Sequence, residues 1–303
     1  MEKFLHEKPN LKNHLHLHLL VFIAGFTAVL GELITINAIA LVWYRMVMAA
    51  ILMYIYIKVV KVKLKITLRS IVRLSIAGII IALHWITFFA AIDYSNISIT
   101  LAMFSTGAFF ASFIEPIIYK RKIIWYEIVF GLFVVLGVLI ITQSEIQYLL
   151  GIILGISSAF LSSLFAVLNG TFLKQHTATV ISYYEFLSGV FFISVYIFCF
   201  GEGFSSDFFN ISLSDFKYLF ILASICTAYA FIASVHVMKV ISPYSVVLTY
   251  NLEPVYGIII AVLLFPEKEK MSPSFYYGAI IIIGVVLINA ILKNNRKLKR
   301  KQT

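Results

Sequence analysis

Several side chains in this sequence are of types that an apolar helix does not carry without reason, among them Arg45, His84, Glu185 and Glu253. Each stands inside a long apolar run. A charge in the middle of a membrane helix costs about 2.5–3.5 kcal/mol on insertion scales, so such a group marks a partner or a polar path. Arg45 carries a planar fork that matches a carboxylate. Glu185 suits an ammonium group or a travelling proton. Glu253 directly precedes Pro254, which removes a backbone donor and opens the helix locally. Freed carbonyls beside a carboxylate suit a substrate or a proton, and Tyr250 and Asn251 add hydrogen-bonding groups next to them. His84 can carry a proton near neutral pH. Trp85 and Tyr44, with Trp43, Tyr183 and Tyr184, form either an aromatic wall for a substrate or interface anchors at span ends. Asn169 ends an apolar run as a hinge or a cap. The expected substrate-binding set is therefore Arg45, Trp85, Glu185, Tyr250, Asn251, Glu253, Tyr44 and Asn169. The proton-coupling candidates are Glu253, Glu185 and His84. Each of these groups also has a plainer reading, as a packing residue satisfied by neighbouring helices.

The elements that must hold these groups follow from composition. The chain is 61% hydrophobic and 13% charged, against about 45–50% and about 25% for soluble domains. Its 27 Phe and 17 Tyr exclude a disordered chain. The apolar runs are continuous rather than alternating, which excludes an outer-membrane barrel. An all-α integral membrane protein is the expectation. A span needs roughly 20 mostly apolar residues, and ten candidates lie near 15–33, 38–57, 71–92, 97–119, 124–142, 149–169, 180–200, 217–237, 242–265 and 274–292. The polar N-terminus lacks a signal-peptide cleavage site, so the first run is expected to stay as a span. With both termini on the cytoplasmic side, 20 of the 24 Lys and Arg residues fall on that side, as the positive-inside rule requires. The net charge of +10 thereby describes topology; a basic tail beside a membrane, not a nucleic-acid partner, is expected.

The chain also resembles itself. At a shift of 147 residues, Ser95-Asn96-Ile97-Ser98 lies over Ser242-Pro243-Tyr244-Ser245, Gly131 over Gly278 and Gly137-Val138 over Gly284-Val285. At a shift of 140, Trp43-Tyr44-Arg45 lies over Tyr183-Tyr184-Glu185. The opposite charges at that related position suggest an ion pair or a shared polar network, or a pair that only fixes packing. Two halves are expected, 1–147 and 148–303, each with five spans. Five is odd, so the second half enters the membrane from the opposite side and the halves are inverted copies. Inverted repeats are the usual build of secondary transporters, with the substrate near the midplane between them.

The motifs carry a family likeness. Gly25-Phe-Thr-Ala-Val-Leu-Gly31, Trp43-Tyr44-Arg45, Asn251-Leu-Glu-Pro254, Glu267, and the pair Gly278 and Gly284 resemble the EamA-type group of the drug/metabolite transporter superfamily. The resemblance implies a ten-helix basket whose central cavity is lined by spans one to four and six to nine, with spans five and ten peripheral. It also implies export or exchange of small metabolites. The first half departs from the motif, with Gly107 at the position of Pro254 and Lys120 at that of Glu267.

Among function classes, a secondary transporter of small metabolites such as amino acids or amphipathic drugs leads. The alternatives are an intramembrane enzyme and a non-transporting scaffold. No Gly-x-Ser-x-Gly elbow, His-Glu-x-x-His motif or phosphate-binding loop is present. Cys199 and Cys226 read as apolar fillers. No cofactor or metal is expected. The partners expected are a small-molecule substrate and the lipid bilayer of the inner (plasma) membrane, and a homodimer is left open.

Overall fold

A computed structural model describes residues 11–120, 122, 125–173, 175–201, 203–238, 249–250 and 252–302. No strand occurs among the described residues. The helices are α1 (Leu11–Leu33), α2 (Ala38–Val60), α3 (Leu68–Asp93), α4 (Ile97–Phe104), α5 (Gly107–Tyr119), α6 (Trp125–Ser144), α7 (Leu149–Phe172), α8 (Ala178–Phe200), α9 (Ser206–Phe209), α10 (Leu213–Ala223), α11 (Ala230–Met238), α12 (Glu253–Leu264) and α13 (Pro273–Gln302). A π-helical stretch, Ser224–Tyr229, joins α10 to α11.

Among the described residues, seven segments are long and apolar enough to cross a membrane. Three shorter apolar stretches, Ile128–Ser144, Glu253–Leu264 and Pro273–Ile288, fall on the expected spans five, nine and ten. The start of expected span nine, 242–248, and Asn251 lie outside the described residues. The outer faces carry exposed Leu132, Phe191, Phe198 and Ile280, as lipid contact requires.

Side-chain caps set many of the helix starts. Asn37, Thr67 and Asn96 accept hydrogen bonds from the backbone N–H groups of Ala40, Ser70 and Ile99, satisfying donors that the first turn leaves open. Helices α2 and α5 both end on a lysine in the left-handed region, Lys61 (φ 58°) and Lys120 (φ 51°). A cation at a helix C-terminus complements the dipole there. These two lysines and the tail mark a basic end of the bundle. The opposite end carries Glu32, Glu145, Asp207, Asp215 and Glu269 in its connections and helix starts.

The packing follows the internal repeat. Exchange of the halves maps α1 on α7, α2 on α8, α3 on α10–α11, α4–α5 on α12 and α6 on α13. Under that exchange the pair α1·α12 becomes α7·α4–α5, α3·α7 becomes α1·α10–α11, and α3·α8 becomes α2·α10. The pairs α2·α8, α4·α12 and α6·α13 map on themselves. Every one of these pairs is packed in the structure, and each joins one half to the other. The halves are therefore interleaved about a pseudo-twofold axis rather than set side by side.

Small residues make these crossings close. A Cβ on Gly78 of α3 would lie 2.4 Å from the Glu185 carbonyl oxygen of α8. One on Gly189 would lie 2.2 Å from Met46 Cε and 3.0 Å from the Gly78 oxygen. Gly78→Val should push α3 from α8 and destabilise the protein by about 1–3 kcal/mol. Thermal unfolding in detergent checks this, with Gly284→Ala, whose Cβ would meet nothing within 4 Å, as the comparison.

Candidate substrate site

The site grows from a break in span four and from the start of α12. Span four does not run as one helix: it breaks at Ser105–Thr106 between α4 and α5. The hydroxyls of Ser105 and Thr106 turn back to the carbonyls of Leu101 and Met103 at 2.9 and 2.6 Å. The position related to Thr106 by the 147-residue shift is Glu253, and α12 begins there, with Pro254 in its first turn. Helix α12 thus starts at the position matched to the break in span four, and α4 packs against α12. Broken helices at matched positions are where inverted-repeat proteins expose backbone groups to a ligand. Helix α1 crosses this break closely: a Cβ on Gly25 would meet the Glu253 carbonyl oxygen at 3.0 Å.

Arg45, 3% exposed, faces this region from α2. Its guanidinium carbon lies 3.8 Å above the Trp85 ring and 5.7 Å from that of Phe89, a cation–π stack on α3. Its Nε donates to Thr227 Oγ1 at 2.8 Å. Thr227 stands in the π-helical stretch and donates in turn to the Leu222 carbonyl, five residues back, at 2.8 Å. Buried Cys226 lies alongside. Glu253 is the carboxylate that interacts electrostatically with Arg45, from beyond ion-pair distance. Arg45 Nη1 is buried with no hydrogen-bond partner. A guanidinium held by stacking and by one nitrogen, with another nitrogen unfilled, is a ready donor to an anionic oxygen.

Glu185 and Asn169 form a second polar spot. Glu185 is fully buried, and neither carboxyl oxygen has a hydrogen-bond partner. Asn169 approaches that carboxyl, yet too loosely for a normal hydrogen bond, and its own Oδ1 is also unpartnered. The structure does not pair Glu185 with Arg45; the repeat-related charges face different neighbours. Trp85 still links the two spots, because its ring lies 5.7 Å from that of Phe186.

The other expected residues sit elsewhere. Tyr44 donates to the Phe208 carbonyl at 2.9 Å and stacks on the Phe208 ring at 5.5 Å. It belongs with Trp43, Phe204 and Phe209 to an aromatic cluster beneath the connection after α8. His84 Nδ1 lies 2.8 Å from Ser158 Oγ, and the ring stacks on Phe104 at 5.5 Å, so it ties α3 to α7. Tyr250 shares a 2.7 Å hydrogen bond with Ser234. Tyr183 stacks on Tyr54, and Tyr184 donates to the Leu64 carbonyl at 2.9 Å near the basic end. Thr227 was not an expected site residue; the polar run Ser224-Ile-Cys-Thr227 in an apolar span was its only signal. A groove of about 420 Å³ between α3 and α8, lined by Ser75, Ile79, Ser188 and Phe191, contains none of these charged residues.

The comparisons agree with this architecture. The sequence matches the EamA-like transporter family twice, over residues 11–143 and 149–290. The chain belongs to that family. It is thus a multi-pass membrane protein of a transporter family, built from two EamA repeats. The fold is similar to that of a protein of known crystal structure, with a TM-score of 0.63 at 12% identity, covering 93% of this chain and 98% of that one. No curated protein matches significantly.

The buried Glu185 carboxyl makes no hydrogen bond of normal geometry, so its removal should strengthen the fold. Glu185→Met should raise stability by about 1–3 kcal/mol, seen as a higher melting temperature in detergent. A fall in melting temperature would show that Glu185 has a stabilising partner.

Proposed function

We propose that this EamA protein is a secondary transporter, an exporter or exchanger, of small amphipathic metabolites such as amino acids. It has ten spans in two inverted halves with both termini on the cytoplasmic side of the plasma membrane. Arg45 receives the substrate's anionic group at its free nitrogen, Trp85 and Phe89 supply an apolar wall, and Glu253 at the helix break meets an ammonium group. The observation that carries the reading is the unfilled Nη1 of a buried, stacked Arg45 at the seam between the halves. A buried charge of that kind is retained where a ligand completes it.

Glu185 is the proton carrier on this reading. Its carboxyl makes no normal hydrogen bond, so it is stable either with a proton or with a cationic partner. His84 is less suited, because Ser158 and Phe104 already fix its ring.

Proteoliposomes with an imposed pH gradient and a radiolabelled aromatic amino acid test both assignments. Saturable flux without chemical change of the solute is expected. Arg45→Lys should lower it at least about tenfold, through loss of the planar stack and fork. Glu185→Gln should leave exchange intact and abolish the response to the gradient. Flux no greater than in protein-free vesicles, for this probe and for amphipathic cations alike, would overturn the transport reading. A solute of changed mass would favour an enzyme.

A further inference from the structure

A ribbon of lysines crosses the starts of α3 and α8. Between α2 and α3 the chain runs outside any helix from 62 to 67, and exposure alternates along it. Lys61, Lys63 and Lys65 are exposed, while Val62, Leu64 and Ile66 are half-buried. Tyr184 of α8 pins the ribbon by donating to the Leu64 carbonyl at 2.9 Å. His176, just before α8, shares a 2.9 Å hydrogen bond with Ser70 of α3, so the two helix starts lie side by side. Arg69 and Arg73, one turn apart on α3 and both exposed, extend the basic patch. Residues 58–73 hold six Lys and Arg, and neither this stretch nor 173–184 holds an Asp or Glu. Among the described residues, Lys63, Lys65, Arg69 and Arg73 pair with no carboxylate.

The same two helices carry the groove of about 420 Å³, lined by Ser75, Ile79, Leu187, Ser188, Phe191 and Val195. Ser188 stands four residues after Tyr184, on the same face of α8. Ile79 stands ten residues after Arg69, about 15 Å further along α3. The groove therefore runs away from the basic patch into the apolar length of both helices. Its rim faces outward, with Leu187, Phe191 and Val195 exposed. At its floor the hydroxyls of Ser75 and Ser188 share one hydrogen bond of 2.9 Å. Two hydroxyls that share a single bond leave one O–H over, and an ester carbonyl accepts such a donor.

We propose that groove and ribbon together bind one anionic phospholipid of the surrounding bilayer: an acyl chain lies in the α3–α8 groove, and Lys63, Lys65 and Arg69 hold the phosphate at its mouth. An apolar groove alone takes any acyl chain. Uncompensated cations at its mouth select the headgroup, and an arginine fork matches a phosphate. The two helix starts, side by side, add a field of the same sign. A zwitterionic headgroup brings its own cation, which this patch repels. The bound chain braces the seam at which Gly78 meets α8, where a Cβ on Gly78 would lie 2.9 Å from Ser188 Cβ. The inference goes beyond the transporter reading and holds with or without it.

Native mass spectrometry of the purified full chain tests this, with phosphatidylglycerol and phosphatidylcholine of the same acyl chains as probes and melting temperature in parallel. One phosphatidylglycerol per chain should be retained and should raise the melting temperature. Phosphatidylcholine should bind at least about tenfold more weakly, and added salt should narrow that difference. Lys63→Gln, Lys65→Gln and Arg69→Gln together should bring phosphatidylglycerol down to the phosphatidylcholine level. Lys297→Gln, Lys299→Gln and Arg300→Gln, which remove as much charge from the tail, should not. Val195→Trp fills the groove from its exposed rim and should abolish retention of both lipids. Leu187→Trp, on the same rim, takes its place if Val195→Trp lowers the lipid-free melting temperature. Equal binding of the two lipids, or loss with the tail variant instead of the ribbon variant, overturns the headgroup assignment. Full retention in a folded groove-filled variant overturns the acyl-chain assignment. A dimer that retains no lipid and separates on Val195→Trp gives the groove to a second copy and overturns both.

Discussion

The arrangement depends on keeping one guanidinium inside an apolar bundle. Arg45 cannot shed its charge, and a buried ion loses several kcal/mol of hydration that its surroundings must replace. Three elements converge to do so. Helix α3 brings the faces of Trp85 and Phe89. The π-helical stretch turns Thr227 toward Nε. The start of α12 brings Glu253 within electrostatic reach. An extra residue per turn is what a π stretch supplies, and such stretches recur at functional sites. Here it swings a hydroxyl onto the one group that needs it.

The helix breaks serve the same end. A helix that runs unbroken through a membrane has no backbone group to offer. Breaking span four at Ser105–Thr106 and starting α12 at Glu253 exposes ends at matched positions. The two halves solve the break differently. In the first half two hydroxyls bond back to carbonyls of the preceding turn. In the second, a proline, which has no N–H and so needs no acceptor, stands in the first turn. That difference puts a carboxylate on one side of the axis only. Gly25 and Gly257 then let α1 close over it, a Cβ on Gly257 lying 3.1 Å from the Gly25 oxygen.

Much of this was legible in the sequence, because the cost of a charge in an apolar run is paid wherever the chain folds. Arg45, Glu185 and Glu253 stood out on that ground alone, and the repeat register that relates Thr106 to Glu253 is a property of the letters. What was hidden depends on register between distant helices. Tyr44 next to Arg45 read as a site residue, yet a helix turns about 100° per residue, and Tyr44 points to Phe208 instead. Arg45 and Glu185 are related by the repeat but face different neighbours, since symmetry relates positions without bringing them together. Ser212 caps the helix start at Asp215, and Thr35, 180 positions away, shares the Asp215 carboxylate, which nothing local in the sequence reveals.

Glu185 shows how position in the chain ties the candidate site to the join between the halves. The residue is fully buried, and its backbone carbonyl lies against Gly78 of α3, whose would-be Cβ is 2.4 Å away. Helix α3 leads directly into α4, through Tyr94 to Asn96, and α4 is the helix that Glu269 of the other half caps. The helix packed on Glu185 and the helix held from the other half are consecutive in the chain. A shift of either is therefore felt at both, because packed interiors transmit strain.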